Sequence, residues 1–193
     1  MRRIAKSVIT GRTPPSAAGD FFTEGEIPWF TPGDFNSLVL EQAEKALTAN
    51  AFSEGYAVLY EPCSILLVGI GATLGKVAIS FNQCASNQKI NAITTSSNTF
   101  PMFFVYFLHC FHDEVRMLAS GNTLPILNQD KTKSIIVIRP PLTEQEQITE
   151  FLQNTNNEIE QITKKIKNSI TLLNEHRSTL ITTAITGKME IHL

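Results

Sequence analysis

The sequence predicts an α+β fold: one mixed domain over residues 1–140, then a long C-terminal coiled-coil helix over 141–193. Three observations carry this. Nine of the ten glycines and eight of the nine prolines fall at or before residue 140. Short apolar runs broken by turn residues fill that first part, whereas the rest shows a sustained seven-residue apolar repeat. The pair Pro140–Pro141 stands between the two parts and stops any regular element there.

Taken in order, residues 41–50 predict a short helix. Residues 56–60, 64–69, 77–81 and 134–138 predict strands, being short and rich in β-branched or aromatic side chains. Residues 101–118 predict a longer helix, buried at its start. After the proline pair, Thr143 precedes Glu144, Gln145 and Glu146, which predicts a capped helix start with acidic residues in its first turn. No Pro or Gly follows until Gly187, so a helix over 144–184 would run about 60 Å. Ile148, Leu152, Thr155, Ile159, Ile162, Ile166, Ser169, Leu173, His176 and Leu180 alternate spacings of four and three, the seam of a coiled coil. The other reading of this segment is a helix lying across its own domain.

A chain of 193 residues that is 42% hydrophobic can build a core without staples. Cys63, Cys84 and Cys110 are odd in number and widely spaced. That argues against a disulfide framework and a paired-cysteine zinc site, and for a reducing, cytoplasmic setting. The opening residues carry Lys6 and Arg12 and lack the apolar run of a signal peptide. Neither apolar stretch, 65–79 or 100–111, suits a bilayer span, so no membrane role is expected. The net charge is −2, and up to Arg139 the 11 basic residues balance 11 acidic ones. A polyanion partner would therefore need the basic groups gathered on one face, or help from another subunit.

Several motifs fail as chemistry. Gly71, Gly75 and Lys76 suggest a phosphate loop, but the glycine required at position 70 is Ile70, and Val77 stands where a Ser or Thr should follow the lysine. The better reading is strand, glycine turn, strand, with Lys76 and backbone N–H groups able to meet a phosphate. His109 and His112, three apart, would share a helix face, yet no further ligands accompany them, and no metal site is expected. No nucleophile–base set, no acidic dyad at Asp113–Glu114, no Asn/Asp-Pro-Pro-aromatic tetrapeptide and no glycine-rich cofactor loop can be assigned. No catalytic residue is expected.

The polar stretches are more informative. Asn87, Gln88 and Lys89 sit between apolar runs. Asn and Gln can pair twice with an adenine edge, and Lys can hold a phosphate. Gly121, Asn122 and Thr123 form a second polar turn, and 131–133, with two lysines, a third. Lys76, Asn87, Gln88, Lys89, Asn122 and Thr123 are the candidate DNA-binding residues.

Six segments together resemble one family. They are Ile27, Pro28 and Trp29 with Gly33 and Asp34; Gly71 to Lys76; Asn87 and Gln88; Gly121 to Thr123; Pro140 to Gln145; and Thr186, Gly187 and Lys188. Their order is that of specificity subunits of type I restriction–modification systems, and residues 9–14 are similar to the opening of those recognition domains. The family usually carries two target-recognition domains and two antiparallel helices in one chain, so this sequence resembles a half-length form. The resemblance implies that it binds one half of a split double-stranded DNA target. It implies docking to a methyltransferase subunit that modifies adenine with S-adenosylmethionine, and recruitment of a restriction translocase–nuclease subunit. No cofactor is expected in this chain itself. A half-subunit would complete its target as a homodimer, through Ile148, Leu152, Ile159, Ile162, Ile166, Leu173 and Leu180. The alternative is an assembly or regulatory scaffold that does not bind DNA.

Overall fold

A computed structural model describes residues 1–119 and 125–188. Its elements are β1 (Ala5–Thr10), β2 (Ile27–Phe30), β3 (Lys45–Leu47), α1 (Ala49–Ser53), β4 (Ser64–Val68), β5 (Val77–Ser80), β6 (Ala85–Ser86), β7 (Ile90–Thr95), α2 (Pro101–Cys110), α3 (His112–Met117), α4 (Gln129–Ser134) and α5 (Leu142–Ile185). The chain divides into two compact units, Met1–Thr149 and Glu150–Leu193. The first is an α+β unit, and the second continues α5.

Two sheets build the first unit. One is antiparallel, in the order β1-β7-β4-β5; the other has the order β3-β2-β6. All five residues of β4 are buried, because both faces of its sheet are covered. Ile65 and Leu67 join Met102, Phe104, Val105 and Leu108 of α2 in one core. Leu66 and Val68 point the other way, into a second core with Phe30, Tyr60, Ala78, Ile90 and Ala92. A continuous apolar run is what a strand buried on both faces requires. The outer edge of β5 is covered by residues 38–40: the Leu40 N–H donates to the Ile79 carbonyl at 2.8 Å, and the Ile79 N–H to the Leu38 carbonyl at 2.9 Å. Such cover removes an edge open to pairing with other chains. Asp34 fixes the approach to the smaller sheet, accepting from the Thr31 N–H at 2.7 Å and the Glu44 N–H at 3.0 Å.

The expected strands 64–69 and 77–81 are β4 and β5, joined by the expected glycine turn. Four expectations about elements before the long helix are corrected. Residues 41–50 are not a helix: Lys45–Leu47 pairs with β2, and the helix starts only at Ala49. Of 56–60, only Tyr60 makes a β-bridge, to Cys84. Residues 134–138 make no strand pairing. Ser134 ends α4, and Ile135 is buried while Ile136 is 89% exposed, a strand-like alternation with no ladder. The helix over 101–118 is two, broken at Phe111, whose φ of −97° and ψ of 33° leave the helical region.

The long helix is present and begins at Leu142. Thr143 is therefore inside it rather than its cap; the Pro141 carbonyl accepts from the Glu144 and Gln145 N–H groups at 3.0 and 3.1 Å. Gln145, fully buried, ties this first turn to the domain. Its Oε1 accepts from the Phe100 N–H at 2.9 Å, and its Nε2 donates to the Pro140 carbonyl at 2.8 Å. Among the described residues no helix is long and apolar enough to cross a membrane.

Candidate nucleic-acid interface

The ladder registers bring four segments to one end of the larger sheet. Thr10 ends β1 opposite Asn91, Val68 ends β4 opposite Ile90, and Leu67 faces Val77 at the start of β5. Three loops leave from this end: Gly11 to Thr13, Gly69 to Lys76, and Asn87 to Lys89. Backbone bonds lace them together. The Gly11 N–H donates to the Ile90 carbonyl at 3.1 Å, the Arg12 N–H to the Ser86 carbonyl at 3.0 Å, and the Gly69 N–H to the Lys89 carbonyl at 2.7 Å. The fourth segment arrives after residue 124. Ile126 bridges to Ile70, and the Leu127 N–H donates to the Gly69 carbonyl at 2.8 Å.

Asn91 is the post that holds these parts. It is buried; its Nδ2 donates to the Leu127 carbonyl at 2.6 Å and lies 3.0 Å from the Thr132 hydroxyl, while its Oδ1 accepts from the Thr10 hydroxyl at 2.8 Å. The Gln129 amide lies 3.1 Å from the same Thr10 hydroxyl. Gly11 has no room for a side chain: an added Cβ would sit 2.3 Å from the carbonyl oxygens of Ser86 and Asn87. Beneath the loop, the Tyr60 hydroxyl and Ser86 Oγ are 2.8 Å apart. Burial pushes the Tyr60 phenol up to about 12, against a smaller lowering from Ser86. Burial likewise raises the Cys84 thiol to about 11, so it stays a protonated core residue at neutral pH.

Four of the expected DNA-binding residues, Lys76, Asn87, Gln88 and Lys89, therefore share one sheet end. Gln88 and Lys89 are exposed; Gln88 Oε1 accepts from the Thr13 hydroxyl. Asn87 is half-buried, and its side chain accepts from the Lys89 N–H at 3.0 Å, the geometry of a residue that shapes its loop. Lys76 is exposed, with Nζ 3.3 Å from the Phe35 carbonyl. The turn before it spends its N–H groups internally: those of Leu74, Gly75 and Lys76 bond to Gly71, Val68 and Thr73. These three N–H groups are therefore occupied within the turn. Asn122 and Thr123 lie outside the described residues. Lys131 and Lys133 belong to α4 rather than to a turn.

Sequence reasoning left out Arg12 and Thr13. Arg12 Nη1 donates to the Gly55 carbonyl at 3.0 Å, and with Thr13, Tyr56 and Gln88 it lines a shallow cavity of 360 Å³. A basic residue just ahead of Pro14 and Pro15 was the available signal. None of the three loops contains an acidic residue. The three loops carry Arg12, Lys76 and Lys89, although Asp113 borders the same cleft as Lys76. Lys76 also borders a 560 Å³ cleft with His109 and His112. These histidines lie on α2 and α3, on either side of the break at Phe111, and so do not share one helix face. Gly75, at φ 91°, lets His112 and Arg116 pack against the turn.

The helix seam is placed as follows. Ile148 packs against the core of its own domain, and Leu152 is half-buried. Ile159, Ile162, Ile166, Leu173 and Leu180 are exposed.

Residues 4–172 match the family model described as the type I restriction modification DNA specificity domain. The chain belongs to this family. Two curated members share its sequence over 167 residues, 84% of the chain. The MjaIX specificity subunit of Methanocaldococcus jannaschii is 25% identical, and the EcoR124I/EcoR124II specificity subunit of Escherichia coli 23%. The chain spans 38% and 41% of their lengths. Among solved structures, a chain from a study of type I R-M complex assembly and conformational transition gives a TM-score of 0.75 at 18% identity, over 92% of this chain and 43% of that one. The HsdS subunit of Thermoanaerobacter tengcongensis gives 0.62 at 19% identity, over 82% of this chain and 36% of that one. The fold of this specificity-domain chain is therefore that of the solved subunits.

Proposed function

We propose that this specificity-domain chain recognises one half of a bipartite double-stranded DNA target and directs partner subunits to it, with no catalysis of its own. The observation that carries the reading is the gathering of Arg12, Lys76, Gln88 and Lys89 at one sheet end in a member of a DNA specificity family. The cations hold phosphates and set the register; Gln88, with Asn122 and Thr123, reads base edges. Asn87 and Asn91 keep the loops in place. Two copies pair antiparallel through the exposed seam of α5 and present two recognition domains to an inverted repeat with an unspecified spacer. A methyltransferase subunit supplies S-adenosylmethionine and adenine methylation, and a restriction translocase–nuclease subunit joins for cleavage.

The test is a salt-dependent DNA shift assay on the chain with its methyltransferase subunit, using sites located by mapping methylated adenines. Lys76→Ala and Lys89→Ala should weaken all sequences alike and each flatten the salt slope by about one unit. Gln88→Ala should cost ~1–3 kcal/mol at one target position. Unchanged affinity and unchanged methylation in all three variants would refute the assignment. A complex that assembles but does not shift DNA would favour the scaffold reading.

A further inference from the structure

Beyond Thr149, helix α5 leaves large apolar side chains in solvent: Phe151, Ile159, Ile162, Ile166, Ile170, Leu172, Leu173, Leu180, Ile181 and Ile185. Their spacing has a symmetry of its own. Counting outward from Ile166 in both directions, Ile162 answers Ile170, Ile159 answers Leu173, and Leu152 answers Leu180. Phe151 and Ile181, which lie beside the seam, answer each other as well. Ile148 answers Ala184, and the half-buried Thr155 answers Arg177. Of these exposed residues only Leu172 and Ile185 lack an apolar counterpart, facing Glu160 and Gln147.

A palindrome of apolar positions is what an antiparallel two-fold pair requires, since the axis maps each residue onto its mirror position in the partner. It also repairs the seam. A strict heptad continued through Ile166 puts Ser169 and His176 in the core. Repeating the spacing of four at Ile166, equivalent to inserting four residues into the heptad pattern, instead brings in Ile170, with Leu173, Arg177, Leu180 and Ala184 continuing the four-three alternation. Such an insertion locally unwinds a coiled coil without ending it. Shifting the partner by about one turn either way breaks the match: Ile159 would then meet Ser169 or His176.

We infer that two copies of this chain pair in one defined antiparallel register, with Ile166 on the two-fold axis. The inference rests on the pairing proposed above and fixes its register. Layers of Ile162 with Ile170, Ile159 with Leu173 and Leu152 with Leu180 repeat on both sides of the axis. The Thr155–Arg177 layer, polar in each half, disfavours registers that would set Arg177 against isoleucine. Lys164, Lys165 and Lys167 flank the axis outside the seam, where solvent and salt screen them.

The experiment uses the full chain with the exposed Cys63 and Cys110 replaced by Ser and the buried Cys84 kept. Light scattering first establishes whether the chain is dimeric. Facing seam residues bring their Cα atoms near disulfide range. Under mild oxidation Ile166→Cys should convert to a covalent dimer, while Leu172→Cys stays monomeric on a non-reducing gel. Ile162→Cys and Ile170→Cys should each fail to link alone and should link when mixed. A chain that scatters as a dimer but links through Ile162→Cys or Ile170→Cys alone, or fails to link at Ile166→Cys and in the mixture, overturns the register. A monomeric parent chain overturns the pairing itself.

Discussion

Gln145 offers the sharpest test of how the helix is anchored. Its side chain serves two backbone groups that have no other partner among the described residues: the Phe100 N–H at the start of α2 and the Pro140 carbonyl before α5. Gln145→Ala strips both. Each buried polar group left unpaired costs ~1–3 kcal/mol, so the loss should be about 2–5 kcal/mol. For a domain of this size that lowers the melting temperature by roughly 5–15 °C. Gln145→Glu separates the hydrogen bonds from packing. As a carboxylate it still accepts from Phe100 but repels the Pro140 carbonyl; protonated, it restores both bonds. Burial and that carbonyl raise its folded pKa above the ordinary ~4.3 of glutamate. A raised acid pKa means the folded state holds the proton longer. Stability is then complete below the ordinary value and is lost as pH rises toward the folded one. Thermal melts of wild-type and both variants, followed upward in pH from the ordinary glutamate value of ~4.3, read this as a difference at each pH. The reasoning fails if Gln145→Ala melts with the wild-type chain, or if the Gln145→Glu deficit does not change with pH.

Three further outcomes are expected. Asn91→Ala should destabilise the first unit by about 2–4 kcal/mol in urea, because the Leu127 carbonyl and the Thr10 and Thr132 hydroxyls lose a buried partner. Gly11→Ala should displace the loop of Asn87 to Lys89 and weaken DNA binding far more than it lowers the melting temperature, since its Cβ would press on backbone carbonyls. Tyr60→Phe should remove a phenol absorbance titration near pH 12. Because that phenol is raised in the folded state, the wild-type protein should lose stability between pH ~10 and 12, and the variant should lose less there.

The parts of the fold that were legible in the sequence are those fixed by burial or by length. Residues 64–68 and 77–80 read as strands because both faces of their sheet are covered and all positions but the terminal Ser64 and Ser80 are apolar. The long helix was plain because nothing in it breaks a helix. Residues 41–50 misled because Glu, Gln, Ala and Lys favour helices, while pairing of Lys45–Leu47 with β2 decides the outcome. β7 was missed because Asn91 interrupts its apolar run, and that asparagine is there to join three elements. The run at 134–138 had strand composition but joins no ladder. At the sheet end, Lys76 and residues 87–89 could be picked by residue type. Their meeting with Arg12 depends on the β1–β7 and β4–β7 ladders, which no local pattern encodes.

The uncovered length of α5 has a consequence for dosage. Beyond Thr149 this helix has a solvated apolar face, and helices gain most of their stability in water from what they pack against. If the partner copy supplies that packing, helix order beyond the domain follows chain concentration by mass action. At low abundance the paired species falls with the square of the chain's concentration, so halving expression leaves about a quarter of it. A cell beginning to express the protein would hold single recognition domains first and two-domain readers only later. The delay before a two-part DNA site is read would be set by the affinity of one seam, not by the strength of any contact to DNA.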